Sequence, residues 1–438
     1  MARKMKDSGI EWIGEIPTDF SLYKLKYLLS SPLCYGANES GTLYSDILPR
    51  YIRITDISPN GTLKNSGMLS LDESSAQNYM LHEGDILFAR SGATVGKSFI
   101  YHNYYGRAAY AGYLIKASFN RIVLPEFVYY YTCSSAYEIW KNSIFIQSTI
   151  QNIGADRYSN LPISVPNSID KQLRIVRYLN NFCSKFDAII YNLQTSIEDY
   201  KKLKQAVITQ AIIKGVRGER EMKDSGVAWI GEIPKEWDII KSSRIIKTTQ
   251  NGLSRRDLEK SEGQIILKLK NITSDGKIDY SFLNRINLSQ NELNTYALTT
   301  GDFLFVRVNG SKSLVGKCAI FEAISEIVAY NDHIIRVKLS NQCYNRFFLW
   351  YLYSCCGKAE IDLHTSTAAG QYTISGDGLR DITLVFPPID EQKEIADYLD
   401  AKCAEIDGLI AKKAQLVKEL ESYKKSLIYE VVTGKREV

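Results

Sequence analysis

Residues 90–98 read "RSGATVGKS", the glycines and Gly-Lys-Ser ending of a phosphate cradle. A nucleotide-binding P-loop needs four residues between its glycines, so that successive backbone N–H groups wrap the phosphates. Gly92 and Gly96 enclose three. A second copy, "RVNGSKSLVGKC" from Arg307, is longer, and Cys318 follows its lysine where a P-loop needs Ser or Thr. A cradle whose N–H groups converge on one anion does not tolerate that change, whereas a strand–loop–strand hairpin with a variable tip does. Both copies keep Arg90/Arg307 at the end of one strand and Lys97/Lys317 at the start of the next. Cations that hold phosphates, flanking a tip that reaches base edges, are what a DNA reader requires. The candidates are therefore Arg90, Ser91 and Lys97 in one copy. In the other they are Arg307, Asn309, Ser311, Lys312 and Lys317. The competing reading is a solvated hairpin with incidental charge. Two further polar stretches, "STIQNI" at 148–153 and "STAAGQYTI" at 366–374, add Thr149, Gln151, Thr367 and Gln371 as loop candidates for DNA contact.

Other chemistry fails an inventory. The Pro-Pro pair in "FPPI" lacks the flanking Asn/Asp and aromatic with which an amino-methyltransferase grips a flipped base. There is no GxGxxG after a strand and no GxSxG elbow. Glu391-Gln392-Lys393 has the Glu-x-Lys spacing of a metal nuclease, but it falls at a helix start. The eight cysteines are scattered, without a CxxC pair or zinc spacing, and only four histidines exist. They read as reduced and mostly buried. The triple tyrosine 129–131 suggests base stacking, but on a helix its members point in different directions, so most are expected in the core. The sequence reads as a binding subunit rather than an enzyme.

The elements that position these residues come in duplicate. "MKDSGIEWIGEIP" at 5–17 returns at 222–234 with only Ile10/Val227 and Glu11/Ala228 changed. "GDILFAR" pairs with "GDFLFVR", and "IDKQLRIVRYL" with "IDEQKEIADYL", at nearly the same separation. Each half thus carries a KDSG…WIGEIP segment, a variable region, and a long tail. The variable regions read as α+β, with short strands such as "RYIRIT", "KSFIYH" and "AGYLIKASF" between turn signals. One helix is expected at 124–140 and its counterpart at 343–361.

The tails carry apolar residues at steps of three and four, without internal Pro. The first stripe includes Leu179, Phe186, Leu193 and Tyr200. The second includes Leu399, Ile406, Leu420 and Leu427. Pro166 and Pro387-Pro388 precede them, and Gly215 and Gly434 close them. Two such helices, each ending one half of a duplicated chain, bury their stripes against each other. A pseudo-twofold axis would make them antiparallel. They then serve as a dimerisation rod, as a ruler between two recognition heads, or as both.

Composition is globular: 438 residues, 45% hydrophobic and 24% charged. No apolar run approaches the roughly 18 residues of a membrane span, and the N-terminus lacks a secretory h-region, so a cytoplasmic protein is expected. A net charge of +5 is compatible with a polyanionic partner.

The duplicated KDSG…WIGEIP segments, the GDILFAR…VGK framework and the P…IDEQ…I..YL helix starts resemble the specificity (S) subunit of type I restriction-modification systems, over essentially the whole chain. The resemblance implies two α+β target recognition domains, at 1–165 and 222–386. They are joined by two conserved helices, at 166–221 and 387–438, that form an antiparallel coiled coil. It implies double-stranded DNA as ligand, each domain reading one half of a split target. It implies two methyltransferase subunits docked on the helices and, through them, motor-nuclease subunits. AdoMet would then belong to the methyltransferase, and ATP and Mg²⁺ to the motor-nuclease, with none bound directly here. The chain begins almost at the KDSG segment, which would leave little N-terminal extension to close onto the C-terminal helix. The alternatives are the specificity chain of another multi-subunit methylation or restriction system, a free-standing DNA-binding regulator, and a coiled-coil adaptor with no DNA role.

Overall fold

The computed structural model describes residues 4–58, 61–146, 152–255, 262–273, 275–368 and 370–438. The chain divides into two compact units. One comprises Met1–Gln194 with Ala414–Val438, the other Thr195–Lys413. Each is therefore a head closed by part of both long helices; the second is one continuous stretch, and the first joins the two ends of the chain.

In the first unit, Met5–Asp7 pairs antiparallel with Glu15–Pro17. The repeated Asp-Ser-Gly explains the turn between them. Asp7 Oδ1 accepts the Gly9 N–H at 2.9 Å and Ser8 Oγ accepts that of Ile10 at 3.2 Å, while Gly9 takes a φ of +72°. Phe20–Lys24 then pairs with Pro162–Pro166, the strand that leads into the central helix. The head proper is built on an antiparallel sheet in the order Cys34–Tyr35, Leu114–Ala117, Ile86–Ala89, Ser98–Ile100. A smaller sheet beside it contains Ala108–Tyr110 and Arg50–Ile52 in parallel. Phe88, Ile115, Phe127 and Tyr131 form one buried cluster with Leu179 of the central helix and Leu427 of the C-terminal helix. The burial of Leu179 and Leu427 in this cluster couples the helix ends to the head.

The second unit repeats the plan. Met222–Asp224 pairs with Glu232–Pro234, and Asp238–Lys241 with Thr383–Phe386. Its principal sheet runs Ile246–Asn251, Ile334–Leu339, Phe303–Val306, Cys318–Ile320. Phe303, Phe347 and Tyr351 are buried with Ile212, Ile395 and Leu399.

The long helices run Ile169–Lys214 and Ile389–Val432. Gly215 and Gly434 follow with φ of +76° and +73°, the left-handed closure that glycine permits. Within the first unit the helices pair antiparallel: Phe186 packs edge-on against Tyr423 and Asp187 meets Lys424 at 2.6 Å. Within the second unit Lys204 meets Asp407 at 2.7 Å and Lys413 lies over the Tyr200 ring at 5.6 Å. Leu179, Leu399, Ile406 and Leu427 are buried, and Phe186, Leu193, Tyr200 and Leu420 are half-buried.

Two sequence expectations change. The single helix expected at 124–140 is two, Pro125–Thr132 and Ser135–Ile146, and its counterpart is Asn345–Tyr353 and Cys355–Leu363. A buried serine makes the break. Ser134 and Ser354 Oγ donate back to the Tyr131 and Tyr351 carbonyls at 2.7 and 2.6 Å. Ser354 Oγ also accepts the Gly357 N–H, capping the next helix. The stretch 366–374, expected as a loop, is a hairpin of Ser366–Ala368 with Gln371–Thr373. Of the triple tyrosine, Tyr131 is fully buried and Tyr129 and Tyr130 half-buried.

Candidate nucleic-acid interface

The hairpin glycines serve packing. A Cβ on Gly96 would fall 2.3 Å from Lys141 Cδ, and one on Gly316 would fall 2.3 Å from Ile361 Cγ2. Each glycine lets its hairpin lie against the second helix of its head. The Gly96 carbonyl is taken by the Tyr137 hydroxyl at 2.7 Å, and that of Ala89 by Tyr158 at 3.0 Å. Burial pushes both phenols well above the usual tyrosine range, so they stay neutral donors. Val-Gly-Lys is thus the seat of the hairpin on its helix.

Arg90 sits where three separate segments meet. Its backbone N–H donates to the Tyr113 carbonyl at 3.0 Å, and its carbonyl accepts the Ile153 N–H at 2.9 Å. Ser91 bridges to Asn152. Arg307 repeats this in the second unit: its N–H donates to His333 at 2.8 Å and its carbonyl accepts from Ile374 at 3.0 Å. The hairpin, a turn before the next strand, and the polar stretch that precedes each long helix therefore converge on one arginine per unit.

The side chains differ between units. The Arg90 guanidinium lies over the Tyr35 ring at 4.9 Å, and the Tyr35 hydroxyl accepts the Ala155 N–H at 3.0 Å. Arg307 Nη1 donates to the Asp332 carbonyl at 3.1 Å. Beyond Arg307 a small sheet sets Asn309 opposite Tyr372 and Tyr372 opposite Thr367, so that these three share a face. Thr367 and Gln371 are exposed, and so are Ser311 and Lys312. Lys312 meets Asp362 at 3.8 Å. Lys97 is exposed and Lys317 half-buried. Thr149 and Gln151 lie outside the described residues.

Among the described residues no carboxylate forms an ion pair with Arg90, Lys97, Arg307 or Lys317. Cations whose charge no carboxylate neutralises keep it for an external anion. Among the described residues no group of three or more His, Cys, Asp or Glu is placed to hold a metal ion. No helix of the described residues is long and apolar enough to cross a membrane.

Sequence reasoning missed Tyr35, Tyr113, Asp332 and His333. Their signal was faint: "AGYLI" and "NDHII" stand at equivalent places, each a turn followed by a strand. Only strand pairing over long sequence distance brings them to the hairpin arginines.

Comparison with known proteins fits this architecture. The family model for the type I restriction modification DNA specificity domain matches residues 44–199 and 234–419. The chain belongs to this family. The two matches fall one in each half of the duplication. Among curated relatives of this specificity family, the StySPI type I restriction enzyme specificity subunit of Salmonella potsdam is 24% identical over 72% of this chain and 66% of its own length. The EcoKI type I restriction enzyme specificity subunit of Escherichia coli (strain K12) is 24% identical over 66% of this chain and 61% of its own. The chain thus spans somewhat under two thirds of these relatives. A solved structure of a chain from a type I R-M system, described for its complex assembly and conformational transition, shares the fold. It has a TM-score of 0.72 at 14% identity and covers 96% of this chain and 99% of that one.

Proposed function

We propose that this specificity-family chain is the DNA-reading subunit of a type I restriction-modification complex and carries no catalysis of its own. Each unit reads one half of a bipartite double-stranded target. The long helices set the distance between the halves and dock methyltransferase subunits, through which motor-nuclease subunits join. AdoMet, ATP and Mg²⁺ act on those partners.

The observation that carries the reading is the duplicated convergence on Arg90 and Arg307. In each unit one guanidinium with no ion-pair partner among the described residues stands beside a hairpin tip and a polar segment, on a common frame with different side chains. One frame with two sets of readers suits a split, asymmetric target, in which phosphate contacts hold register and tip residues discriminate bases. A free-standing regulator would need its affinity from the chain alone, and a net charge of +5 over 438 residues supplies little non-specific attraction.

The test is the methylation motif produced by the full chain co-expressed with its methyltransferase subunits. The expected motif has two specified blocks separated by unspecified base pairs. A single continuous motif, or methylation independent of this chain, would overturn the proposal.

A further inference from the structure

The turns beside the two arginines are the same object built twice. In the first unit Leu114 N–H donates to Ala111 at 2.8 Å, and Gly112 N–H to Ala37 at 2.7 Å. In the second, Ile334 N–H donates to Asn331 at 3.0 Å, and Asp332 N–H to Leu253 at 3.1 Å. Tyr113 and His333 occupy the same position of this turn, each giving its carbonyl to the hairpin arginine. Their backbones are held on both sides. Their side chains face solvent, Tyr113 at 63% and His333 at 46% exposure. Among the described residues neither ring makes a hydrogen bond; His333 Nε2 lies 3.9 Å from the Asp332 carboxylate, beyond hydrogen-bond distance. The fold thus fixes where these groups stand without using their polar atoms.

We propose that Tyr113 and His333 are specificity-determining residues, each reading a base edge in the half-site of its own unit. The inference rests on the DNA-reading function proposed above. A phenol offers one donor and an acceptor, and an imidazole a donor and an acceptor on opposite sides of its ring. Held at one place beside a phosphate-binding arginine, they present different patterns to the base pair facing them. Exchange of this one side chain on a constant turn changes the base read and leaves the arginine frame in place.

The full chain with its methyltransferase subunits is used to select from a randomised duplex library, and the bound DNA is sequenced. His333→Ala is expected to lose discrimination at one base pair of one block by roughly tenfold, the scale of a single lost base contact. Tyr113→Ala does the same in the other block. His333→Gln, which keeps a donor and an acceptor, shifts the preferred base at the same position. Thermal unfolding of all three matches the parent. Unchanged base preferences in both alanine variants, with a two-block parent motif, would overturn the inference alone. A parent that selects no two-block motif would overturn the DNA-reading proposal, and this inference with it.

Discussion

Gln392 Oε1 accepts the backbone N–H of Tyr344 at 2.8 Å, while Gln392 Nε2 donates to the Pro387 carbonyl at 2.9 Å. Gln172 makes the same pair of bonds, to Leu124 at 2.8 Å and Pro166 at 2.9 Å. Both side chains are fully buried. Leu124 and Tyr344 each stand at the cap of the first large helix of their head. One amide per unit therefore ties the first turn of a long helix to its head, which is the physical content of the glutamine in "IDKQ" and "IDEQ".

Gln392→Leu keeps the volume but strands the Tyr344 N–H and the Pro387 carbonyl. Each buried unsatisfied group costs about 1–3 kcal/mol, so for the two together a loss of about 2–6 kcal/mol is expected. Denaturant unfolding of the full chain measures it. Unchanged stability would mean that the helix start is held by its apolar contacts alone.

This glutamine marks the limit of what was legible in the sequence. The stripe, the prolines and the closing glycines were enough to draw both long helices, because helical periodicity is local. The duplication separated frame from tip, and so pointed to Arg90 and Arg307. It did not disclose that Tyr113 and His333 flank them, since that adjacency arises from pairing of Leu114–Ala117 with Ile86–Ala89, and of Ile334–Leu339 with Phe303–Val306. Nor did it disclose the break at Ser134 and Ser354, because a serine inside an apolar run reads as helix until its hydroxyl is seen to bond backward. The KDSG segment was visible as a motif, but its role as an Asp-Ser turn between two short strands was not.

Among the described residues Lys97 and Lys317 form no ion pair, so their removal leaves none of those acids uncompensated. Lys97→Ala and Lys317→Ala are each expected to weaken DNA binding across sequences and to lower the salt slope by about one. Titrations at several salt concentrations give both quantities. Unchanged affinity and slope in both variants would remove these lysines from the phosphate contacts.

Both long helices pass through the division between units, near Gln194 and Lys413. Insertion of four residues into each at that point adds roughly 6 Å of helix, or nearly two base pairs at about 3.4 Å each. Four residues is close to one turn, so the apolar seam stays in phase. The unspecified spacer in the methylated motif is expected to lengthen while both half-sites persist. An active complex with the original spacer would show that the helices do not set the distance. Thr195→Pro, by contrast, breaks the helix at a cost of about 3 kcal/mol or more, and is expected to impair partner assembly.

The central claim, that each unit reads its half-site independently, is tested most directly by exchanging residues 18–165 for the matching region of a relative with a different target. The methylated motif of the hybrid complex is then sequenced. The account predicts that one half-site changes to that of the donor while the other half-site and the spacer stay as they were. A motif altered on both sides of the spacer, in a hybrid that still methylates, would contradict it.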